Sequence, residues 1–231
     1  MQKGDGRVQS LKKTYIDLSH TIEDGLITYK GLPAPIICDY LSREESRNHY
    51  EEGTEFQIGK IEMVSNTGTY VDVPFHRYAS GKDLSEITIN KMAGLEGIMI
   101  NIDQSIKEIG EKFFYDLDVE GKAILIHTGW DRHWNTDQYF ESHPYLTKNA
   151  AKYLVDKKAA LVGIDSVNID DTEGKSRPVH TTLLGAEILI VEHLCHLEEL
   201  LNKRFIFNAV APKIKGFGTF PVRAFAEIQQ D

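Results

Sequence analysis

Four short apolar runs constrain the fold of this chain more than any other feature. They lie at residues 97–102, 123–127, 160–164 and 187–191, and each has strand length. Runs this short, rich in Ile, Leu and Val, suit strands buried in a sheet. A helical pattern over 148–158 leads directly into the third run, with Thr147 as its N-cap and Ala151, Leu154 and Val155 on one face. Weaker helical patterns cover 106–114 and 181–186. Residues 14–19 read as a first strand, followed by a turn at Glu23-Asp24-Gly25 and a loop marked by Gly31, Pro33 and Pro35. Phe56, Ile58, Ile61 and Met63 belong to an alternating stretch typical of a half-buried strand. Residues 205–210 and 222–227 read as closing strands. Strands interleaved with a few helices define a mixed α/β class. No repeat, low-complexity tract or linker divides the chain, so residues 13–231 read as one domain behind a polar tail at 1–12.

The chain has 231 residues, of which 41% are hydrophobic and 26% charged, enough to bury a large core. No stretch approaches the ~20 consecutive apolar residues of a membrane span. The N-terminal segment lacks the apolar core of a secretory signal, so a cytoplasmic location is expected. The net charge is −9, without a dense Lys/Arg cluster, which argues against a nucleic-acid partner. The two cysteines, Cys38 and Cys195, show no CxxC spacing, which excludes a disulfide framework and a thiolate zinc site.

The segment 66–76, Asn-Thr-Gly-Thr-Tyr-Val-Asp-Val-Pro-Phe-His, carries the chemistry. Asn66, Tyr70, Asp72 and His76 are separated by even offsets and share one face of an extended chain. A straight strand would spread them over ~30 Å. Convergence therefore needs a curl, and Gly68 and Pro74 sit where the chain can bend. A surface loop whose polar side chains bond the backbone fits the same pattern.

This segment resembles the signature of the cyclase family, which includes kynurenine formamidases and isatin hydrolases: His-x-Gly-Thr-His-x-Asp-x-Pro-x-His. Asp17-Leu18-Ser19-His20 resembles the family's opening strand, and His127-Thr128-Gly129-Trp130 its central element. Gly163-Ile164-Asp165-Ser166, Pro178-Val179-His180, Glu192 and Pro221-Val222-Arg223-Ala224 follow in the family's order. The resemblance implies a swivelling β/β/α fold whose mixed sheet forms a partial barrel, and a homodimer or higher homo-oligomer. It also implies a metal-dependent hydrolase of a small amide or lactam C–N bond, similar to arylformamidase. Asp72, His180 and Glu192 match metal ligands, and His76 matches the general acid/base. Asn66 and Tyr70 stand where the signature has two histidines.

An amide oxygen is a weaker, harder ligand than imidazole, and a neutral phenol, pKa near ~10, binds divalent ions poorly. One divalent metal per chain is therefore expected, held by Asp72, His180 and Glu192 with Asn66 as a fourth ligand. Zinc is the first choice and manganese the second, because the set is rich in oxygen. Tyr70 is assigned as an oxyanion donor, and Trp130 and Phe75 as walls for a small-molecule substrate. Arg77 and Asp131 flank matched residues, and His127 is the one further histidine assigned a pocket position. Two other readings fit the same residues: a non-catalytic small-ligand-binding relative, and a lyase or dehydratase using His76.

Overall fold

A computed structural model describes residues 13–229; the tail assigned to 1–12 lies outside the described residues. In chain order the strands are β1 (Thr14–Asp17), β2 (Ile36–Leu41), β3 (Ile58–Glu62), β4 (Tyr70–Asp72), β5 (Leu95–Asn101), β6 (Glu108–Ile109) and β7 (Ala123–His127). They continue with β8 (Tyr145–Leu146), β9 (Leu161–Ile164), β10 (Leu189–Glu192), β11 (Phe205–Asn208), β12 (Thr219–Pro221) and β13 (Phe225–Ile228). The α-helices are α1 (Arg43–Ser46), α2 (Lys148–Asp156) and α3 (Pro178–Gly185).

Nine strands form one mixed sheet in the order β1-β13-β11-β5-β7-β9-β10-β4-β12. The central four, β5, β7, β9 and β10, are parallel, and antiparallel strands flank them on both sides. These four are the apolar runs of the sequence. β7, β9 and β10 are covered on both faces and β5 only partly, and their residues alternate between two cores. Leu125, Leu161, Leu189 and Val191 enter the core inside the sheet, with Val71 and Phe207. Ile124, Ile126, Val162, Ile164 and Ile190 enter the other, against Ala151 and Leu154 of α2 and Val179 and Leu183 of α3.

The sheet curls into a half-barrel, and the chain connectivity requires it. β12 lies at one edge and β13 is next to the other, seven strand spacings away, or roughly 34 Å in a flat sheet. Only residues 222–224 join them, a reach of roughly 14 Å at full extension. The seam is closed by Leu18 N–H to Ala224 O (2.9 Å), Cys195 N–H to Leu18 O (3.1 Å) and Val222 N–H to Thr69 O (2.9 Å).

Several local expectations are corrected. The pattern at 106–114 is no α-helix: Gly110 is extended (φ −86°, ψ 173°) and splits it into β6 and a 3-10 turn, Glu111–Phe114. Ile109 and Phe114 are nonetheless buried, which is why the apolar spacing looked helical. The closing strand expected at 222–227 is shorter: residues 222–224 are the connector from β12, and the strand begins at Phe225 as β13. The helix expected at 181–186 begins earlier, with Pro178 at its first turn, where the missing N–H costs nothing. The alternating stretch around Ile58 and Ile61 is a strand, but β3 pairs only with β2 and is exposed throughout. Helix α2 matches its pattern, and Thr147 Oγ1 accepts from Ala150 N–H at 3.2 Å. Among the described residues no helix is long and apolar enough to cross a membrane.

His20 leaves β1 and stacks on Trp134, with ring centroids 3.8 Å apart. Its Nε2 is buried without a hydrogen-bond partner, and burial lowers its pKa from 6.5 to about 4. Below pH 6.5 the unfolded chain takes up a proton that the folded chain refuses until about pH 4. Stability is therefore complete above pH 6.5 and is lost as pH falls towards 4, by about 3 kcal/mol from this group. Replacing His20 with Phe keeps the stack and removes the titration. Urea midpoints at pH 7.5 and 4.5 should then lie closer together in His20→Phe than in the parent protein; an unchanged gap would discard this account.

Candidate metal and catalytic site

The segment 66–76 does curl. Gly68 takes the left-handed conformation (φ 65°), its N–H held by Thr28 Oγ1 at 2.8 Å, and the chain then enters β4. A 3-10 turn, Pro74–His76, folds the end back, with His76 N–H on Val73 O at 2.8 Å. His76 Nδ1 is thereby brought to 3.7 Å from Asp72 Oδ1. Gly218 packs against this turn so closely that a Cβ there would collide with the backbone of His76.

Sheet register assembles the rest. Tyr70 on β4 is paired with Glu192 on β10, and Asp72 with Thr219 on β12. Residues opposite one another share a face. Tyr70 accordingly donates its O–H to Glu192 Oε2 at 2.6 Å, and Thr219 donates its hydroxyl to Asp72 Oδ1. α3 covers this face and supplies His180 from its first turn.

His180 is the hub. Its Nδ1 lies 2.7 Å from Asp170 Oδ2, while Asp170 also accepts the N–H groups of Val179 (2.7 Å) and His180 (3.0 Å). The Nδ1 hydrogen is thus committed to Asp170. Nε2 points between two further carboxylates, 3.5 Å from Asp72 Oδ2 and 3.5 Å from Glu192 Oε1. Burial alone would depress the imidazole pKa, but Glu192, Asp170 and Asp72 outweigh it and push it up to about 10. The pocket favours positive charge at this spot.

A divalent ion fits these residues. Asp72 Oδ2 is fully buried and accepts no hydrogen bond, a costly condition for a carboxylate without a cation. Asp72, His76 and His180 each offer a ligand atom within 4.8 Å of the others. Glu192 joins through His180, its Oε1 also accepting Ile169 N–H at 2.7 Å. A histidine tied through one ring nitrogen to a carboxylate, with the other nitrogen facing oxygen ligands, is the usual support of a metal-binding imidazole.

Asn66, Tyr70, His76, His180 and Glu192 line a cavity of about 480 Å³, together with Tyr29, Leu32, Arg77 and Arg177. Arg77 is braced on Thr181 Oγ1 (3.1 Å), and Arg177 on the carbonyls of Gly174 (2.8 Å) and Asp171 (3.1 Å). Tyr70 lines the cavity but is 1% exposed, and its O–H donates to Glu192 Oε2 at 2.6 Å rather than standing free for an oxyanion. Two sequence assignments fall elsewhere. Phe75 turns into the inner core, opposite its neighbour His76. Trp130 does not line the cavity; its indole N–H is fixed on Tyr139 O at 2.9 Å.

A second cluster, His127, Asp131 and Asp165, lies outside this cavity. There both oxygens of Asp165 accept backbone N–H groups of Thr128 and Gly129 (2.8–3.0 Å), so Asp165 clamps that turn. The residues that sequence reasoning missed are Asp170, Thr219 and Arg177; Arg77, noted only as the neighbour of a matched residue, lines the cavity. Asp170 is one of a pair of aspartates in a loop, with no spacing that marks it.

A half-barrel sheet presenting carboxylates and imidazoles to one cavity defines an α/β protein with a candidate buried cation site. The chain belongs to the Cyclase family, whose model matches residues 16–171. A kynurenine formamidase of Bacillus cereus is 29% identical over 212 residues, covering 91% of this chain and 95% of the relative. A solved potential metal-dependent hydrolase with cyclase activity superposes with a TM-score of 0.77 at 24% identity, over 95% of this chain and all of the other. Isatin hydrolase A from Labrenzia aggregata, bound to benzyl benzoate, gives 0.79 at 19% identity, over 94% of each chain. These two structural likenesses establish the fold.

Replacing Asp170 with Asn keeps an acceptor for the helix N–H groups but removes the charge that orients His180. Zinc affinity, measured by competition with a chromophoric chelator, should fall about 10–100-fold in Asp170→Asn. An unchanged affinity would show that Asp170 serves only the helix.

Proposed function

We propose that this protein is a metal-dependent hydrolase of a small amide or lactam C–N bond, resembling arylformamidase. The observation that carries the reading is the unpartnered, buried Asp72 Oδ2 facing His180 Nε2 beside His76. We assign one divalent ion per chain to Asp72, His180 and Glu192, zinc before manganese, since imidazole suits zinc while the carboxylates admit a harder ion. A divalent cation bound there supplies Lewis acidity, acidifying water and polarising the substrate carbonyl.

The residues supply the proton chemistry. The Thr219 hydroxyl gives its proton to Asp72 Oδ1, so its oxygen accepts from His76 Nδ1–H at 2.8 Å. That fixes the tautomer and leaves the lone pair on Nε2, in a ring about one-third exposed at the cavity. His76 Nε2 takes a proton from water as the water oxygen attacks the carbonyl carbon. It returns that proton to the departing nitrogen as the C–N bond breaks, yielding a carboxylic acid and an amine. Arg77 and Arg177 give the cavity a positive wall, and Tyr29 and Leu32 a flatter, less polar one, which suits an aryl amide carrying negative charge.

The relative from Bacillus cereus, a kynurenine formamidase, supports this substrate class. We also assign the protein to the cytoplasm, in keeping with its two free cysteines. We further propose that it forms a homo-oligomer through the β2–β3 hairpin, where Ile36, Tyr40, Ile58 and Ile61 are exposed.

Protein purified without chelator should contain about one equivalent of metal and hydrolyse N-formyl aryl amines. Changing His76 to Ala should lower kcat by about 10²–10⁴-fold with the metal retained. Full activity of metal-free protein would remove the hydrolase reading. For assembly, light scattering should give at least twice the chain mass, and paired Ile58→Glu and Ile61→Glu substitutions should give the monomer; a parent protein that is already monomeric would end that proposal.

A further inference from the structure

Behind Glu192 lies a buried hydrogen-bonded chain that the proton chemistry above leaves unused. Tyr70 O–H is 2.6 Å from Glu192 Oε2, His193 Nε2 is 3.3 Å from the Tyr70 oxygen, and Tyr139 O–H is 2.9 Å from His193 Nδ1. Tyr70, His193 and Tyr139 are each at most 1% exposed. Hydrogen bookkeeping gives the chain a direction. A metal-binding carboxylate can only accept, so Tyr70 spends its proton on Glu192. The Tyr70 oxygen must then accept from His193 Nε2–H. In the tautomer that carries that hydrogen on Nε2, Nδ1 is an acceptor, and Tyr139 donates to it at 2.9 Å.

The backbone of His193 is held at φ 57°, the left-handed region where a side chain costs about 1 kcal/mol or more. A glycine or asparagine would meet that conformation more cheaply. The imidazole is therefore present for its side chain, and it sits in an aromatic box, with Tyr70, Trp134 and Tyr139 centroids 5.1, 5.6 and 5.8 Å away.

We propose that His193 is a positioning residue: with Tyr139 it fixes Tyr70 as a permanent donor to Glu192 Oε2, so that Oε1 is the oxygen turned to the cation. Without that relay the phenol oxygen keeps Asn66 as its side-chain partner but loses the donor that commits its proton to Glu192 Oε2, while Ile169 N–H alone remains fixed on Oε1. Asn168 Nδ2, at 3.5 Å from Oε2, is too distant to replace the phenol. The proposal rests on the assignment of Glu192 as a metal ligand.

The test is a double-mutant cycle read as zinc affinity of the full chain by chelator competition, with circular dichroism as the check on folding. His193→Phe keeps a ring in the box and removes both nitrogens. It should weaken zinc binding by about 10–100-fold, the usual effect of losing an outer-shell partner. Tyr70→Phe should do the same. The two changes together should cost no more than Tyr70→Phe alone, because His193 acts only through that phenol. Effects that multiply, or a His193→Phe protein with parental affinity, would overturn the proposal. Should His193→Phe not fold, Tyr139→Phe removes a single hydroxyl and should weaken zinc severalfold; parental affinity there would equally overturn it. A parent protein that binds no zinc or manganese would instead refute the metal assignment of the hydrolase reading.

Discussion

Two carboxylates, Asp72 and Glu192, are buried within 3.5 Å of a single imidazole nitrogen, and the surrounding structure is arranged around that concentration of charge. Burying a carboxylate without compensation is prohibitive, so each oxygen needs a donor or a cation. Glu192 has Tyr70 and Ile169 N–H, and Asp72 Oδ1 has Thr219. Asp170, the third carboxylate, is satisfied by two backbone N–H groups and His180. Only Asp72 Oδ2 is left over. The chemistry of the site follows from that remainder.

The topology delivers the two acids, 120 positions apart in the sequence, by sheet pairing. β10 is the last of the four parallel strands, and β4 joins it antiparallel, so Glu192 and Tyr70 face each other by register. β12 then brings Thr219 beside Asp72 from the far end of the chain. A one-residue slip of either pair would move every one of these side chains to the opposite core. Because that core is lined by Val71 and Val191, such a slip would bury carboxylates among apolar groups. The same apolar alternation that forms the sheet therefore also fixes the site.

This division explains what the amino-acid pattern could reveal. The four parallel strands were legible because burial on both faces, only partial for β5, demands an unbroken apolar run. Helix α2 was legible from its cap and its stripe. The curl of 66–76 was legible from Gly68 and Pro74, and with it the face that carries Asp72 and His76. What was hidden depends on contacts between distant segments. Asp170 and Thr219 look like ordinary loop and strand residues until α3 and β12 dock. The exposure of β3 was hidden for the opposite reason: alternation records apolar content, and the pairing of β3 with β2 alone leaves that content uncovered. Trp130 and Phe75 were placed at the cavity by their neighbours in sequence, yet one is held by Tyr139 and the other by the inner core.

The phenol at position 70 bears on how many cations the site needs. Asp72, Asp170 and Glu192 bring three carboxylates to the site. One divalent ion leaves a single excess negative charge in a cluster that already receives O–H and N–H groups from Tyr70, Thr219, Ile169, Val179 and His180. Tyr70 adds a neutral donor aimed at Glu192, where an imidazole in the same place would offer a lone pair to a second ion. A second cation would have to displace the Tyr70 proton, which burial and the neighbouring Glu192 and Asp72 charges hold more tightly than in a free phenol. A hydrogen-bond donor thus does for Glu192 what a second ion would otherwise do, which supports the proposal of a single ion at this site.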